Sequence, residues 1–141
     1  MAKNVLILCT GNSCRSQMAQ VIWQNIGSGD WIAQSAGSKP SGYVHPVAIE
    51  MIKELGLSAD GLISKSLDEI DLEAIDLAVT VCDNAKDDCP MLPAKIETLH
   101  WPFDDPADAT GSDEEIQQVF RRVREEISDR IGNYLNSTKD T

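Results

Sequence analysis

The chain of 141 residues has the length of a single domain, residues 1–141, and its 42% hydrophobic and 25% charged residues are typical of a globular protein. Its formal net charge of −11 argues against binding to nucleic acids or anionic membrane surfaces, since both need a basic face. We find neither a signal peptide nor an apolar run near the ~20 residues that span a bilayer, so we expect a cytoplasmic protein. In a reducing cytosol, the four cysteines are expected to be catalytic, redox-active or metal-binding rather than a disulfide framework.

The first half of the chain predicts two strands, each followed by a helix. Residues 4–8 form a continuous apolar run typical of a strand buried on both faces, and residues 31–37 form a second short strand. A helix is expected from Ser16 to the stop signal at Gly27, and another from Pro46, which suits a first helical turn. The side chains expected to face the core are Met18, Ile22 and Ile26 in the first helix and Val47, Met51, Ile52 and Leu55 in the second.

The second half predicts two more strands, over residues 76–81 and 96–99, and a long final helix. Ser112 and Glu115 form a capping-box signature at the start of that helix. Its apolar stripe consists of Ile116, Val119, Phe120, Val123, Ile127, Ile131 and Leu135. Alternating strands and helices predict an α/β fold, a four-stranded parallel sheet flanked by helices. Ligands bind at the carboxyl ends of such strands, where Cys9 and Cys82 both lie.

The stretch CTGNSCRS, Cys9 to Ser16, predicts an anion-binding loop between the first strand and the first helix. A loop that leads into a helix N-terminus presents unpaired backbone N–H groups and partial positive charge. We expect Gly11 to let the backbone curl and Arg15 to offer forked donors to a tetrahedral oxyanion, and Asn12 is a residue that tolerates left-handed geometry. The same field favours the nucleophilic thiolate of Cys9. The predicted oxyanion-binding residues are Thr10, Gly11, Asn12, Ser13, Cys14, Arg15 and Ser16.

This loop resembles the active-site loop of the low-molecular-weight protein tyrosine phosphatases, in which a cysteine, five residues, an arginine and a serine follow one another. The likeness continues in the Ser-Ala-Gly at residues 35–37 and in Asp105-Pro106. The resemblance implies that Cys9 is the nucleophile, that Arg15 holds the oxyanion and that Asp105, rather than Asp104, is the proton donor.

Two further stretches, VCDNAKDDCP and HWPFDDPA, are similar to the thioredoxin-coupled arsenate reductases built on the phosphatase scaffold. That resemblance implies arsenate as substrate and a disulfide relay from Cys9 to Cys82 to Cys89. It also implies no bound cofactor, electrons from reduced thioredoxin and ultimately NADPH, and a monomer. Ala107 follows Asp105-Pro106 where phosphatases of this fold carry aromatic residues, which disfavours phosphotyrosine.

Several alternatives remain open at this point. The chain could be a phosphatase that hydrolyses phosphate monoesters, or a sensor that binds arsenite or a metal through three thiols. Glutaredoxin with glutathione could supply the electrons. The cysteine spacing does not fit a zinc site, and we expect no metal site. Some relatives bind potassium, but here Gln20 and Lys65 stand in place of carboxylates, so we expect no potassium site.

Local predictions complete the sequence analysis. His45 is expected to mark a helix start, and His100 and Trp101 to shape the wall beside the acid loop. Cys14 is expected to pack rather than react. A helix over residues 82–89 would separate the two cysteine Cα atoms by about 10 Å, beyond the ~7 Å limit for a disulfide. We therefore predict that this segment is helical or extended when reduced and unwinds as the Cys82–Cys89 disulfide forms.

Overall fold

A computed structural model describes residues 2–82 and 92–139. The described chain forms a four-stranded sheet in the order β2-β1-β3-β4, and all neighbouring strands are parallel. The strands are β1 (Lys3–Cys9), β2 (Trp31–Gly37), β3 (Leu77–Thr80) and β4 (Glu97–His100), and the helices are α1 (Arg15–Ile26), α2 (Pro46–Glu54) and α3 (Asp113–Lys139). The predicted α/β fold and its four parallel strands are confirmed.

The sheet is covered on both faces, as the continuous apolar run of β1 predicts. On one face Val5, Ile7 and Cys9 join a large core to which all three helices contribute. On the other face Leu6 and Leu8 pack in a smaller cluster, against which side chains of the 3₁₀ helices Leu67–Glu69 and Leu72–Ala74 pack. Because β1 lies between β2 and β3, it is a central strand, and Cys9 at its carboxyl end has a neighbouring strand on each side.

Helix α3 begins as its sequence predicts. The hydroxyl of Ser112 accepts a hydrogen bond from the backbone N–H of Glu115 at 3.1 Å, and the Glu115 carboxylate accepts one from Ser112 N at 3.1 Å. The predicted stripe faces the core, with Phe120, Ile127 and Ile131 almost fully buried. The capping box and the stripe together fix where this helix starts and which face it buries.

Two side chains expected in the core are instead exposed. Ile26 is 38% exposed, because positions four residues apart drift by roughly 40° per step around a helix of 3.6 residues per turn. Leu55 is 40% exposed because α2 ends at Glu54, and the buried positions of that helix are Ala48, Met51 and Ile52. Across residues 2–82 and 92–139, no helix is both long enough and apolar enough to span a membrane.

Candidate active site

The loop between β1 and α1 is held from outside through its carbonyl groups. Five consecutive carbonyls, those of residues 9–13, each accept a hydrogen bond from a group beyond the loop. The donors are Ser38 N to Cys9 O at 3.3 Å, Lys39 N to Thr10 O at 2.9 Å, Ser41 N to Gly11 O at 2.9 Å, Gln17 Nε2 to Asn12 O at 2.9 Å and His45 N to Ser13 O at 3.0 Å. With the carbonyls engaged outside, the loop's N–H groups are directed inward, in the arrangement that binds an oxyanion at a helix N-terminus.

Cys9 lies at the floor of this loop, and the residue is 2% exposed. Its sulfur accepts a hydrogen bond from the backbone N–H of Asn12 at 3.1 Å and lies 2.9 Å from the hydroxyl of Ser16. Asn12 Nδ2 donates to that same hydroxyl oxygen at 2.7 Å. The sulfur of Cys9, the Ser16 hydroxyl and the Asn12 amide thus form one hydrogen-bonded group at the floor of the loop.

Asn12 organises the interior of the loop. Its backbone has φ 50°, the left-handed geometry that an asparagine tolerates, and its side chain is fully buried. Besides Ser16, its amide donates to Ser35 Oγ at 3.0 Å, and its Oδ1 accepts from Lys65 N at 2.9 Å. Gly11, by contrast, does not have a positive φ, and a Cβ there would meet nothing closer than 3.6 Å. The left-handed turn belongs to Asn12, so the curl that we expected of Gly11 comes from its neighbour.

Gly37 is the glycine on which the loop depends. A Cβ at this position would lie 2.5 Å from Thr10 O and 3.1 Å from Asn12 N. The end of β2 thus runs against the backbone of the loop, closer than any side chain permits. This contact explains in physical terms the glycine of the Ser-Ala-Gly stretch at residues 35–37.

Arg15 links the loop between β1 and α1 to the segment that carries Asp105 and to the residue that follows β3. It is 3% exposed, and its Nη1 donates to Phe103 O at 3.2 Å and to Val81 O at 3.4 Å. Its Nη2 lies 3.4 Å from Asp105 Oδ2. Asp104 faces elsewhere and pairs with the exposed Arg122 at 3.2 Å. Of the two adjacent aspartates, Asp105 is therefore the one beside the anion loop.

Asp105 is also fixed by its own backbone surroundings. Its Oδ1 accepts from Ala107 N at 3.0 Å and so caps the short 3₁₀ helix Pro106–Asp108. This cap aims Oδ2 at Arg15, as the Asp-Pro sequence allows because proline suits the first turn. The carboxyl group is thereby held within reach of a group bound in the loop.

Cys82 lies two residues beyond the end of β3, the strand that pairs with β1. Val81 N donates to Leu8 O at 2.8 Å, and Cys82 Sγ donates to the same carbonyl over a long 3.9 Å. Cys82 is fully buried in the apolar cluster that contains Cys9 and Cys14, and none of these three forms a disulfide. Cys89, and the segment whose unwinding we predict, lie outside the described residues.

Cys14, His45 and His100 each have surroundings that indicate a role in packing or hydrogen bonding rather than in catalysis. Burial raises the pKa of the Cys14 thiol to about 12. His45 Nδ1 accepts from Val47 N at 3.1 Å and caps α2, and burial lowers the pKa of its imidazole. His100 is exposed and pairs with Thr80 Oγ1 at 2.6 Å, while Trp101 stacks on Trp23 in the core at 5.9 Å. Within the described ranges, no three His, Cys, Asp or Glu side chains are grouped to hold a metal ion.

Gln20 and Lys65, which stand where some relatives carry carboxylates, are both part of a hydrogen-bond network with Asn12 and Ser35. Gln20 Oε1 accepts from Ser35 Oγ at 2.6 Å, and Asn12 Oδ1 is occupied by Lys65 N. Burial lowers the pKa of the partly buried Lys65 ammonium, against the opposing charge of Glu69. The oxygens available to a cation in this region thus already serve protein donors.

The residues that hold the loop from behind were not predicted from the sequence. Gln17 Nε2 joins Asn12 O to Ile63 O, 2.9 Å from each, and Ser64 Oγ donates to Gly11 O at 3.0 Å. Residues 63–65 therefore support the loop at three points, including Lys65 N. They are some 50 positions away in the chain, and no local pattern marks a serine that donates to a distant carbonyl.

Comparison with known proteins gives consistent matches over nearly the whole chain. Residues 4–141 match the family described as low molecular weight phosphotyrosine protein phosphatase. A relative named arsenate reductase from Halalkalibacterium halodurans is 44% identical over 137 residues, covering 97% of this chain and 98% of the relative. The crystal structure of arsenate reductase from Archaeoglobus fulgidus has a TM-score of 0.79 at 32% identity and covers 94% of this chain and 98% of that one.

One further structure is similar to this chain over part of its own length. The thioredoxin-dependent arsenate reductase of Corynebacterium glutamicum has a TM-score of 0.72 at 28% identity. The match covers 96% of this chain and 61% of that one. The family is named for phosphatases, yet these similar proteins are named arsenate reductases. The fold therefore does not distinguish the two activities, and the distinction has to come from the residues of the site.

Proposed function

The chain belongs to the low molecular weight phosphotyrosine protein phosphatase family, and within it we propose that the protein is an arsenate reductase coupled to thioredoxin. The observation that carries this proposal is the second buried thiol, Cys82, at the end of the strand beside Cys9 and in the same apolar cluster. A phosphatase needs only the oxyanion-binding loop, the nucleophile Cys9 and the proton donor Asp105. Reduction needs a neighbouring thiol to accept the bond from Cys9.

The loop binds arsenate as a tetrahedral oxyanion. Backbone N–H groups of residues 10–16 and the guanidinium of Arg15 supply the donors, and the N-terminus of α1 adds positive potential. This local field works against a chain of net charge −11. An arsenate oxygen competes with Asp105 for Arg15, which frees the carboxyl group to take up a proton.

In the first step the Cys9 thiolate attacks the arsenic atom. An As–S bond forms, and an arsenic-bound hydroxyl leaves as water with a proton supplied by Asp105. Arsenic is still As(V) at this point, so no electrons have yet been transferred. The hydrogen bonds from Asn12 N and Ser16 to Cys9 support this step because they keep the sulfur nucleophilic.

In the second step the Cys82 thiolate attacks the Cys9 sulfur. The S–S bond forms, the electron pair of the As–S bond stays on arsenic, and arsenite leaves as As(III). Cys89 then attacks the Cys82 sulfur, which releases Cys9 as a thiolate. Reduced thioredoxin, and ultimately NADPH, reduces the Cys82–Cys89 disulfide. The proposed cycle needs no bound cofactor. Because its thiols need a reducing compartment, we propose that the protein is cytoplasmic. We also propose that it is a monomer.

The test is arsenate-dependent NADPH consumption with thioredoxin and thioredoxin reductase. We expect sustained turnover by the native chain and about a single turnover by Cys89→Ser, since its relay stops at the first disulfide. Glutaredoxin with glutathione in place of thioredoxin tests the alternative donor. No arsenate-dependent consumption, together with clear hydrolysis of an aryl phosphate, would contradict the proposal.

Slow phosphatase activity is a second function that the same site supports. The cradle, Cys9 and Asp105 would serve phosphoryl transfer without Cys82 or Cys89. Ala107 after Asp105-Pro106 offers no aromatic ring for a phenolic substrate, so we propose this hydrolysis as a side activity.

A further inference from the structure

One peptide unit of the loop connects the thiolate to a side chain that has no place in the mechanism above. The peptide between Gly11 and Asn12 has its N–H donating to Cys9 Sγ at 3.1 Å. Its carbonyl accepts two hydrogen bonds, from Ser41 N at 2.9 Å and from Ser64 Oγ at 3.0 Å. Donors on the carbonyl both orient the peptide plane and polarise its N–H.

The direction of the Ser64 hydrogen bond follows from its second partner. Gly42 N donates to Ser64 Oγ at 3.2 Å, so this hydroxyl already accepts one bond and its own hydrogen goes to Gly11 O. The carbonyl has no hydrogen and can only accept. A continuous chain of donors therefore runs from Gly42 N through Ser64 and the peptide to the sulfur of Cys9.

We propose that Ser64 is a positioning residue that stabilises the Cys9 thiolate through the Gly11–Asn12 peptide. Among the described residues, the side chains of Gln17 and Ser64 both donate to carbonyls of the loop, and they act on different peptides. Gln17 holds the carbonyl of Asn12, whereas Ser64 holds the carbonyl whose peptide N–H reaches the sulfur. Ser64 thus acts on the charge of the nucleophile rather than on the shape of the loop alone.

The inference rests on the proposed role of Cys9 as nucleophile, and it is tested without arsenate. The experiment measures the rate at which iodoacetamide alkylates Cys9 between pH 5.5 and 9.5, located by peptide mass spectrometry. We expect Ser64→Ala to react about threefold more slowly near pH 6 and to approach the native rate at high pH, because the thiolate is less stabilised while its access is unchanged. Ser64→Thr keeps the hydroxyl and should restore the native profile.

Ser66 supplies a matched control two residues away. Its hydroxyl accepts from Asp68 N at 3.1 Å and caps the 3₁₀ helix Leu67–Glu69. Ser66→Ala should lower the melting temperature and leave the alkylation profile unchanged. An unchanged profile in Ser64→Ala, or an equal loss in Ser66→Ala, would overturn the inference. A native Cys9 that reacts no faster than Cys14 would instead overturn the proposed function.

Discussion

Two thiols lie at the carboxyl ends of neighbouring strands, and their sulfurs have different hydrogen-bond partners: Cys9 is the last residue of β1, and Cys82 lies two residues beyond the end of β3. Cys9 Sγ accepts a hydrogen bond from Asn12 N and lies 2.9 Å from the Ser16 hydroxyl oxygen. Cys82 Sγ donates to a carbonyl, Leu8 O, at 3.9 Å. Donors stabilise a thiolate, whereas an acceptor favours the protonated thiol.

This difference matches the order of events in the proposed reaction. In that reaction Cys9 attacks first, and its sulfur lies in a loop in which the carbonyls of residues 9–13 accept hydrogen bonds from outside the loop. Cys82 must lose its proton and leave its carbonyl before it can attack. β3 ends at Thr80, so Cys82 lies beyond the end of the strand.

The largest expected effect separates the two thiols by their reactions. Cys82→Ser should lower arsenate turnover by about a thousandfold or more, while hydrolysis of an aryl phosphate stays within about threefold of native, because only reduction uses the second thiol. Cys9→Ser is the control and should abolish both. Parallel loss of both activities in Cys82→Ser would show that Cys82 supports the loop instead of the relay.

The next effect tests the rigidity of the loop. Gly37→Ala places a Cβ 2.5 Å from Thr10 O, so the loop must shift, and we expect a loss of about 1–3 kcal/mol in stability with weaker phosphate binding. Calorimetry measures both. Gly132 in α3 has nothing within 4 Å of an added Cβ, and Gly132→Ala should stabilise the protein by about 0.5–1 kcal/mol. Native phosphate affinity in Gly37→Ala would mean that the loop yields easily.

A smaller effect concerns Cys14, the third thiol of the cluster. Burial raises its pKa to about 12, so its thiolate fraction at pH 7 is about 10⁻⁵ and rises tenfold with each pH unit. Mass spectrometry after brief alkylation at pH 7 should find Cys9 modified and Cys14 untouched in the native protein. In denaturant, both should react. Rapid modification of native Cys14 would place it in the reactive set.

The smallest effect is the absence of a response to potassium. Gln20 and Asn12 already accept hydrogen bonds from protein donors, and the donor to Asn12 Oδ1 is the backbone N–H of Lys65. An occupied site would stabilise the protein by about 2.7 kcal/mol at 100 times its dissociation constant. We expect equal melting temperatures in potassium and sodium chloride at equal concentration. A clear rise in potassium alone would contradict this account of Gln20 and Lys65.

How much the sequence could predict depends on whether a contact is local. The strands and the capping box of α3 follow from nearby residues, and both agree with the structure. The prediction that Ile26 and Leu55 face the core was wrong. The sequence does not mark where α2 ends, and residues four positions apart rotate around a helix by roughly 40° per step. The support of the loop by Gln17 and Ser64 joins positions far apart, and only the fold brings them together.

The most direct test of the relay stops it at its first disulfide. Reduced Cys89→Ser is mixed with one equivalent of arsenate in the absence of thioredoxin, quenched with acid, and digested for mass spectrometry while released arsenite is counted. The account predicts one arsenite and one Cys9–Cys82 disulfide per chain. Arsenite released without that disulfide, or a chain that keeps both thiols reduced and forms no arsenite, would contradict it.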